Sequence, residues 1–379
     1  MRAERAPPLR VLQAIRAPLQ AGAERVDPPV LQPLGLVLDL LGEAMRTRLF
    51  TVGGEGAEDA CLRPDFTVAV AREHLARGVS TGRYLYEGPA FRAAPAGSAG
   101  VVPRPQEFLQ MGVERIGGEA SERDDAEIAT AAFRAAEAGG RRDLTLVMGE
   151  LGLFDAFCEG LGVTAPVRAR LKLRLGAGEA FQAELERVPP ASDGGGLAAV
   201  LAGLSPEAAA GVLEELWAMA GVTPVGGRSA AEIAGRLAGR ERGGAGVTDS
   251  QAALIARWVE IGGEPLAAIA QAMVLSRRAG VDLHGRLEAC ARRVAALATA
   301  GVGLERMRLE FGWGRPFGYY DGFLFEVRSD ALPEDAPVAA GGRYDGLLGR
   351  LQPGAGATAV GCMVRPARAW AGSGPGGAT

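Results

Sequence analysis

The clearest pattern along the chain is an alternation of apolar and polar side chains between Gly82 and Gly117. Two extended runs flank a loop of proline, glycine, alanine and serine, which predicts a long antiparallel hairpin. Alternate residues of a strand face opposite sides, so the apolar side of the second run consists of Leu109, Met111 and Val113. Its other side consists of Gln110, Gly112 and Glu114. Such a strand suits a sheet that covers a core and holds a small polar ligand, but a solvated sheet face gives the same alternation.

The segments on either side of the hairpin show helical periodicity, with short strand-like runs between them. Before the hairpin, the pattern predicts helices at Pro8–Ala23, Val37–Arg48 and Pro64–Arg77, and a turn-rich hairpin at Phe50–Asp59. After it, the pattern predicts a helix at Glu122–Glu137, a strand at Leu144–Met148 and a helix at Gly152–Leu161.

The composition changes at about Val163, and from there to about Ala300 nearly every segment is a short amphipathic helix. The clearest of these helices are Leu266–Arg278 and Leu283–Thr299, and strand-like sequence returns at Met307–Phe311 and Gly318–Val327. The predicted fold class is therefore α/β (α+β), with a sheet core at 1–162 and 301–371 and a mainly helical insertion at 163–300. Residues 372–379 are expected to form a flexible tail.

The charge and the N-terminal sequence argue against a nucleic-acid or membrane partner. The chain has 379 residues, 48% of them hydrophobic, and its 41 basic and 45 acidic side chains give a net charge of −4. A protein whose main ligand is a nucleic acid usually carries a basic field, so no nucleic-acid partner is expected. The N-terminal residues lack the continuous apolar run of a signal peptide or membrane span, which favours a cytoplasmic protein with no membrane partner.

Metal and nucleotide motifs are missing from the sequence. The four cysteines are far apart, at Cys61, Cys158, Cys290 and Cys362. With only His74 and His284 beside them, the spacing predicts no metal site and favours small buried thiols in a reducing compartment. No G-x-G-x-x-G follows a strand and no G-x-x-x-x-G-K-[ST] occurs, so no Rossmann or P-loop cofactor site is expected.

The hairpin resembles part of a known protein family. Its first strand carries YEGPAFR (86–92) and its second carries QEFLQMGVE (106–114). Together they resemble motif 2 of class II aminoacyl-tRNA synthetases in its histidyl version. Three further blocks agree with this family and stand in the family's order.

The further blocks cover most of the chain. ERVDPPVLQP (24–33) resembles motif 1, and LRPDFTVAVAR (62–72) resembles the histidyl LRPE-x-T block. GYYDGFLFEV (318–327) and AAGGRYDGLLGRL (339–351) resemble the two histidine-recognition blocks. The best overall match is to the synthetase-like regulatory subunits of ATP phosphoribosyltransferase, the first enzyme of histidine biosynthesis.

The resemblance implies a class II synthetase-like antiparallel sheet with flanking helices and a dimer interface around motif 1. It also implies a non-catalytic subunit that binds a short-form ATP phosphoribosyltransferase catalytic subunit, activates it and confers inhibition by L-histidine. The assembly would be a hetero-oligomer built on homodimers. A histidyl-tRNA synthetase would continue into an anticodon-binding domain of about a hundred residues. The chain is expected to have none, because it stops soon after the last sheet element.

The resemblance assigns amino-acid recognition to seven residues: Asp65, Thr67, Gln110, Glu114, Arg315, Tyr319 and Tyr320. Acidic groups would hold the ammonium of histidine, the tyrosines would wrap its imidazole, and Arg315 would contact its carboxylate. Each residue alone also has an ordinary interpretation. Asp65 suits the first turn of a helix, the two tyrosines suit a core-and-surface pair, and Arg315 suits a solvated cation.

The nucleotide half of the family's site is altered. Arg92 and Arg368 align with the arginines of motifs 2 and 3, which implies a residual phosphate-type contact. Ala94 and Ala367 stand where the family has the acidic residues that serve ATP and Mg²⁺. Amino-acid recognition is kept and adenylation chemistry is lost, which indicates a sensor with no catalytic residue and no cofactor.

Two other functions stay open on the sequence alone. One is an enzyme that adenylates histidine or a related amino acid for a carrier other than tRNA, since Arg92, Arg315 and Arg368 are present. The other is a stand-alone amino-acid-binding module. An ATP–pyrophosphate exchange assay separates the first from a sensor, and a pull-down with the short catalytic subunit separates the second.

Overall fold

The structure is a computed structural model that describes residues 4–53, 59–93, 105–187, 197–220, 230–231, 233–234, 246–315 and 317–372. In chain order its strands are β1 (Glu24–Arg25), β2 (Leu31–Pro33), β3 (Thr51–Val52), β4 (Ala60–Leu62), β5 (Gly82–Phe91), β6 (Glu107–Ile116), β7 (Leu144–Glu150), β8 (Gly262–Gly263), β9 (Met307–Glu310), β10 (Phe323–Ser329), β11 (Ala339–Arg343) and β12 (Ala359–Val364). Its α-helices include α1 (Leu9–Arg16), α2 (Leu34–Leu41), α3 (Thr67–Arg77), α4 (Glu122–Ala138), α5 (Leu151–Gly160), α6 (Ala165–Arg174), α7 (Glu179–Leu185), α8 (Leu197–Ala202), α9 (Pro206–Ala220), α10 (Asp249–Val259), α11 (Pro265–Arg278), α12 (His284–Thr299), α13 (Gly346–Leu351) and α14 (Pro366–Ala369).

A large, mostly antiparallel sheet forms the centre of the molecule, with strands in the order β1-β5-β6-β12-β11-β10-β7-β9-β8. The pairs β1–β5 and β7–β9 are parallel, and the other neighbours are antiparallel. A small second sheet has the order β2-β4-β3. Helix α4 packs against β10, β11 and β12, and α12 packs against α4. This arrangement confirms the predicted mixed α/β class.

The predicted hairpin at Gly82–Gly117 is confirmed, because β5 and β6 pair along their whole ten-residue length. Met111 and Val113 are fully buried on the apolar side of β6. On its polar side, Gln110 and Glu114 are each only 1% exposed. The solvated-face interpretation is therefore wrong, and the polar side of β6 faces the interior of the protein.

The sequence patterns also located most elements of the second half. Elements α4, α5, α11, α12, β7 and β9 match their predicted ranges to within two residues. The small hairpin predicted at Phe50–Asp59 appears as the antiparallel pair β3–β4, and its residues 54–58 lie outside the described part. The domain divisions at 163 and 300 stay a prediction. Residues 373–379 of the predicted tail also lie outside the described part.

Two predicted helices are shorter than expected near the N-terminus. The helix predicted to reach Ala23 ends at Arg16, because Pro18 has no N–H to continue the helical hydrogen bonds. The single helix predicted at Val37–Arg48 is divided at Gly42, whose positive φ of 93° ends α2. A 3₁₀ helix then follows at Glu43–Arg48.

Two further predictions were wrong where the chain approaches the polar side of the sheet. The helix expected from Pro64 begins at Thr67, since Phe66 stacks on Tyr86 with ring centroids 4.4 Å apart and holds the preceding segment against the sheet. The strand expected from Gly318 begins at Phe323. The residues before it turn instead, because the Asp321 carboxylate accepts the backbone N–H groups of Asp345 (3.2 Å) and Gly346 (2.7 Å).

A buried ionic network joins helix α12 to helix α4 and to the central sheet. Arg293 of α12 donates from Nε to Asp125 of α4 and from Nη1 to Glu150 of β7, each at 2.8 Å. Arg343 of β11 donates to the other oxygen of Asp125 at 2.6 Å. Since removal of one partner would leave a buried charge unpaired, these contacts favour one position of α12 against the sheet.

Two further features of the structure concern its cysteines and the lengths of its helices. All four cysteines are buried and free of disulfide bonds, as predicted. Among the described residues, no helix combines the length and the apolar character needed to cross a membrane.

Candidate ligand-binding site

A cavity lies beside β6 and β12, next to the start of α3 and the segment that precedes β10. Its lining comprises Asp65, Thr67, Arg92, Gln110, Arg315, Phe317, Tyr319, Tyr320, Gly361, Cys362 and Met363. The structure therefore brings together seven of the nine side chains predicted from the sequence.

The cavity contains acceptor groups that have no hydrogen-bond partner among the described residues. They are both carboxylate oxygens of Asp65 and Oε1 of Gln110, all deeply buried. Burial raises the pKa of Asp65, and the attraction of Arg92 and the nearby backbone N–H groups of Thr67 and Val68 oppose that rise. Buried polar atoms are nearly always hydrogen-bonded in folded proteins, so this side of the cavity is complementary to a ligand that donates hydrogen bonds or carries a positive charge.

Two arginines form a cationic side of the same cavity. Nε of Arg315 has no hydrogen-bond partner among the described residues, and its Nη1 lies 3.0 Å from Oε1 of Glu326. Nε of Arg92 donates to the carbonyl of Pro64 at 3.0 Å. Both guanidinium carbons lie near the Phe317 ring, at 5.2 Å for Arg92 and 5.4 Å for Arg315. Burial lowers the pKa of Arg92 to about 10, so it still carries its charge at neutral pH.

Glu114 is next to the cavity but does not line it. Its Oε1 accepts a hydrogen bond from the Thr67 hydroxyl at 2.9 Å, and its Oε2 accepts one from the Tyr344 hydroxyl at 2.5 Å. Burial raises the pKa of the Glu114 carboxyl to about 8. Glu114 therefore meets the cavity through Thr67, which lines it, and its predicted role in holding the ligand ammonium stays a prediction.

A glycine on β12 makes room for the Glu114 carboxylate. A Cβ atom built on Gly361 would overlap Oε2 of Glu114. Gly361 stands directly opposite Glu114 in the β6–β12 pairing. Any side chain at position 361 would therefore displace Glu114 from the two hydroxyl groups that it accepts.

Aromatic rings form the remaining wall. The rings of Tyr319 and Tyr320 are 4.5 Å apart, and Tyr344 meets them edge-on at 5.9 Å and 6.4 Å. Both Tyr319 and Tyr320 are buried, so they are not a core-and-surface pair on a strand. Rings in this arrangement pack well against a flat ligand ring.

The structure places only one of the two arginines assigned to the nucleotide half of the site at the cavity. Arg92 lines the cavity, but Arg368 does not, and its Nη1 donates to the carbonyl of Pro337 at 2.9 Å. Ala367 is buried on α14, and Ala94 lies outside the described residues. The guanidinium carbon of Arg365 lies 3.5 Å from the centre of the Phe108 ring, and that of Arg92 lies 5.4 Å from the same centre.

Sequence reasoning missed three residues that shape this region. Tyr344 stands in the GGRYDG segment, so its block was recognised but its contact with Glu114 was not. Phe317 and Arg365 had no signal in the sequence, because their positions depend on contacts between distant segments.

The comparisons with known proteins agree with this geometry. The sequence profile of the family described as Histidyl-tRNA synthetase matches residues 10–189 and 209–368. A solved structure described as an ATP phosphoribosyltransferase regulatory subunit/histidyl-tRNA synthetase from Bacillus halodurans has a TM-score of 0.66 at 19% identity, covering 98% of this chain and 82% of its own. A histidine–tRNA ligase subunit from Alicyclobacillus acidocaldarius has a TM-score of 0.57 at 23% identity, covering 98% of each chain. The fold is therefore that of the class II, histidyl-tRNA synthetase-like proteins.

Sequence relatives define the family more closely. A protein from Brucella anthropi is 32% identical over 349 residues, which are 90% of this chain and 91% of the relative. One from Brucella canis is 31% identical over 353 residues, with 90% and 91% coverage. Both are named ATP phosphoribosyltransferase regulatory subunit. The chain belongs to this family of regulatory subunits, and it is not itself the catalytic enzyme.

Proposed function

We propose that the chain binds L-histidine in the cavity and regulates a short-form ATP phosphoribosyltransferase catalytic subunit. It would activate that subunit and make it sensitive to feedback inhibition by histidine. The observation that carries the proposal is the meeting of acceptors and cations at one cavity. Asp65 and Gln110 contribute unpartnered acceptor atoms to its lining, and Arg92 and Arg315 contribute guanidinium groups.

This arrangement matches the three chemical groups of histidine. Asp65 and Gln110 accept hydrogen bonds from the ammonium, and the ammonium balances the buried Asp65 charge. Arg315 receives the carboxylate in the paired geometry that a guanidinium offers. The imidazole then lies against Tyr319 and Tyr320, whose rings provide a flat apolar surface.

Regulation also requires an oligomer, and we propose a homodimer through the small sheet. Val30, Leu31 and Val52 are 37%, 52% and 43% exposed there, on or beside the two outer strands β2 and β3. Exposed apolar residues that share one small sheet are typical of an interface. The homodimer would in turn bind catalytic subunits and form a hetero-oligomer. The coupling between the histidine cavity and the partner's active site would amount to about 1–3 kcal/mol.

Titration calorimetry of the isolated protein tests the histidine site. Asp65→Asn should weaken L-histidine binding by about 30- to 4,000-fold, because losing one partner of a desolvated charge pair costs about 2–5 kcal/mol. Histidinol, which lacks the carboxylate, should also bind weakly to the wild type. Asp155→Asn is the matched control, since Asp155 pairs with Arg168 on α6 away from the cavity. Equal histidine affinity in the Asp65 and Asp155 variants would contradict the proposed site.

A further inference from the structure

A buried carboxylate on β10 contacts one of the two cavity arginines. Glu326 is 8% exposed, and its Oε1 lies 3.0 Å from Nη1 of Arg315. Nε of Arg315 has no hydrogen-bond partner among the described residues. A guanidinium binds a carboxylate best through two parallel N–H groups on one edge of its plane. With Nη1 taken by Glu326, the edge that carries Nε and Nη2 is left for a ligand.

Arg315 depends on this contact for its orientation, because its own segment is irregular. It stands between β9 and β10, outside any helix or strand. Glu326, in contrast, is on the central sheet, where it is paired with Val147 of β7 on one side and with Ala340 of β11 on the other. A binding side chain keeps its geometry when groups on rigid elements hold its rotamer. Glu326 gives such support although it is not among the residues that line the cavity.

The charge of Glu326 is balanced from its other side. Its Oε2 accepts a hydrogen bond from Nε of Arg328 at 3.1 Å. Nη1 of Arg328 in turn donates to Oε1 of Glu334 at 2.9 Å, and the Glu334 side chain is 84% exposed. Four side chains of alternating charge therefore lead from the cavity to the surface. Because Arg328 offsets the charge of Glu326, Arg315 is oriented by a carboxylate and still contributes a positive charge to the cavity.

We propose that Glu326 is a positioning residue that directs Arg315 at the carboxylate of the ligand, and that Arg328 balances the Glu326 charge. The inference rests on the proposed histidine site and adds to it two residues that do not line the cavity. It also assigns them a role in specificity. The preference for an amino acid over an analogue without the carboxylate depends on Glu326, although Glu326 acts through Arg315 alone.

Titration calorimetry of the full-length protein with L-histidine and with L-histidinol, which lacks the carboxylate, tests the proposal. The informative quantity is the ratio of the two affinities, since a general loss of stability lowers both. Glu326→Gln should lower this ratio by about tenfold through weaker histidine binding, because the paired donors of Arg315 lose their alignment. Glu150→Gln is the matched control and should keep the wild-type ratio. Glu150 is also 8% exposed and accepts from an arginine, Arg293, at 2.8 Å, but it does not line the cavity.

Arg328→Met tests the charge balance, and it replaces Glu326→Gln in the comparison if that variant does not fold, as judged by circular dichroism. With Arg328 gone, the Glu326 charge is offset by Arg315 alone, so the ratio should fall by about threefold or more. An unchanged or higher ratio in either variant, beside a wild type that prefers histidine, would overturn this inference and leave the proposed histidine site standing. A wild type that binds histidine no better than histidinol would overturn both.

Discussion

Glu114→Gln should stabilise the protein increasingly as the pH rises. In the folded chain, burial raises the pKa of the Glu114 carboxyl from 4.5 to about 8, although Tyr344 and Thr67 donate hydrogen bonds to it. In the unfolded chain the carboxyl is in water and recovers its ordinary pKa. Between the two pKa values the folded chain keeps a proton that the unfolded chain has lost. Wild-type stability therefore falls as the pH rises through this window.

The size of the effect follows from the width of the window. Each unit of pKa difference corresponds to about 1.4 kcal/mol, so the interval from pH 5 to pH 8 corresponds to about 4 kcal/mol. Glutamine does not titrate and lacks this loss. The difference in unfolding free energy between Glu114→Gln and the wild type should therefore widen by about 4 kcal/mol over that interval and become constant above about pH 8.

Urea denaturation at half-unit steps of pH, at one fixed protein concentration, measures this difference. Glu87→Gln provides the control on the adjacent strand, since Glu87 is paired with Arg16 and both side chains keep partial solvent exposure, 16% and 25%. Its difference from the wild type should stay below about 1 kcal/mol at every pH. Parallel stability curves for Glu114→Gln and the wild type would refute the conclusion that a buried, proton-holding carboxyl supports Thr67.

Two further substitutions test the packing of the site and the attachment of helix α12 to the sheet. Gly361→Ala should displace Glu114, destabilise the protein by about 1–3 kcal/mol and weaken L-histidine binding at least tenfold in calorimetry; unchanged affinity would show that Glu114 does not position the site. Arg293→Met should cost about 3–5 kcal/mol of unfolding free energy, whereas Arg292→Met, whose side chain is 60% exposed, should cost less than about 1 kcal/mol. Equal losses at these adjacent arginines in urea denaturation would contradict the role of the buried network.

The polar side of β6, which borders the cavity, could be predicted from the sequence because the side-chain period of a strand is two. That period alone placed Gln110 opposite the apolar core, and the structure confirms that both sides of β6 are buried. The assignment of the other site residues came from the resemblance to the histidyl family and not from periodicity. Seven of the nine assigned side chains meet at one cavity.

The remaining features depend on contacts that no local pattern records. The start of α3 is set by the stacking of Phe66 on Tyr86, and the turn before β10 is set by Asp321 binding backbone groups of a later segment. The position of the Glu114 carboxyl group depends on its hydrogen bond with Tyr344, which lies 230 residues further along the chain. Strand alternation states which side of the sheet Glu114 faces, but only tertiary packing decides whether it reaches the ligand.

The histidine inhibition curve of the reconstituted complex is the most direct measurement of the proposed function. Wild-type chain and Asp65→Asn would each be combined with the short catalytic subunit, and the phosphoribosyltransferase rate would be followed with increasing L-histidine. Both proteins should activate the catalytic subunit to a similar rate without histidine, because Asp65 is buried in the cavity. The wild-type complex should be inhibited by histidine. The Asp65→Asn complex should need an at least thirtyfold higher histidine concentration for the same degree of inhibition. Identical inhibition curves for the two complexes, or no inhibition of the wild-type complex, would contradict the proposal that this cavity senses histidine.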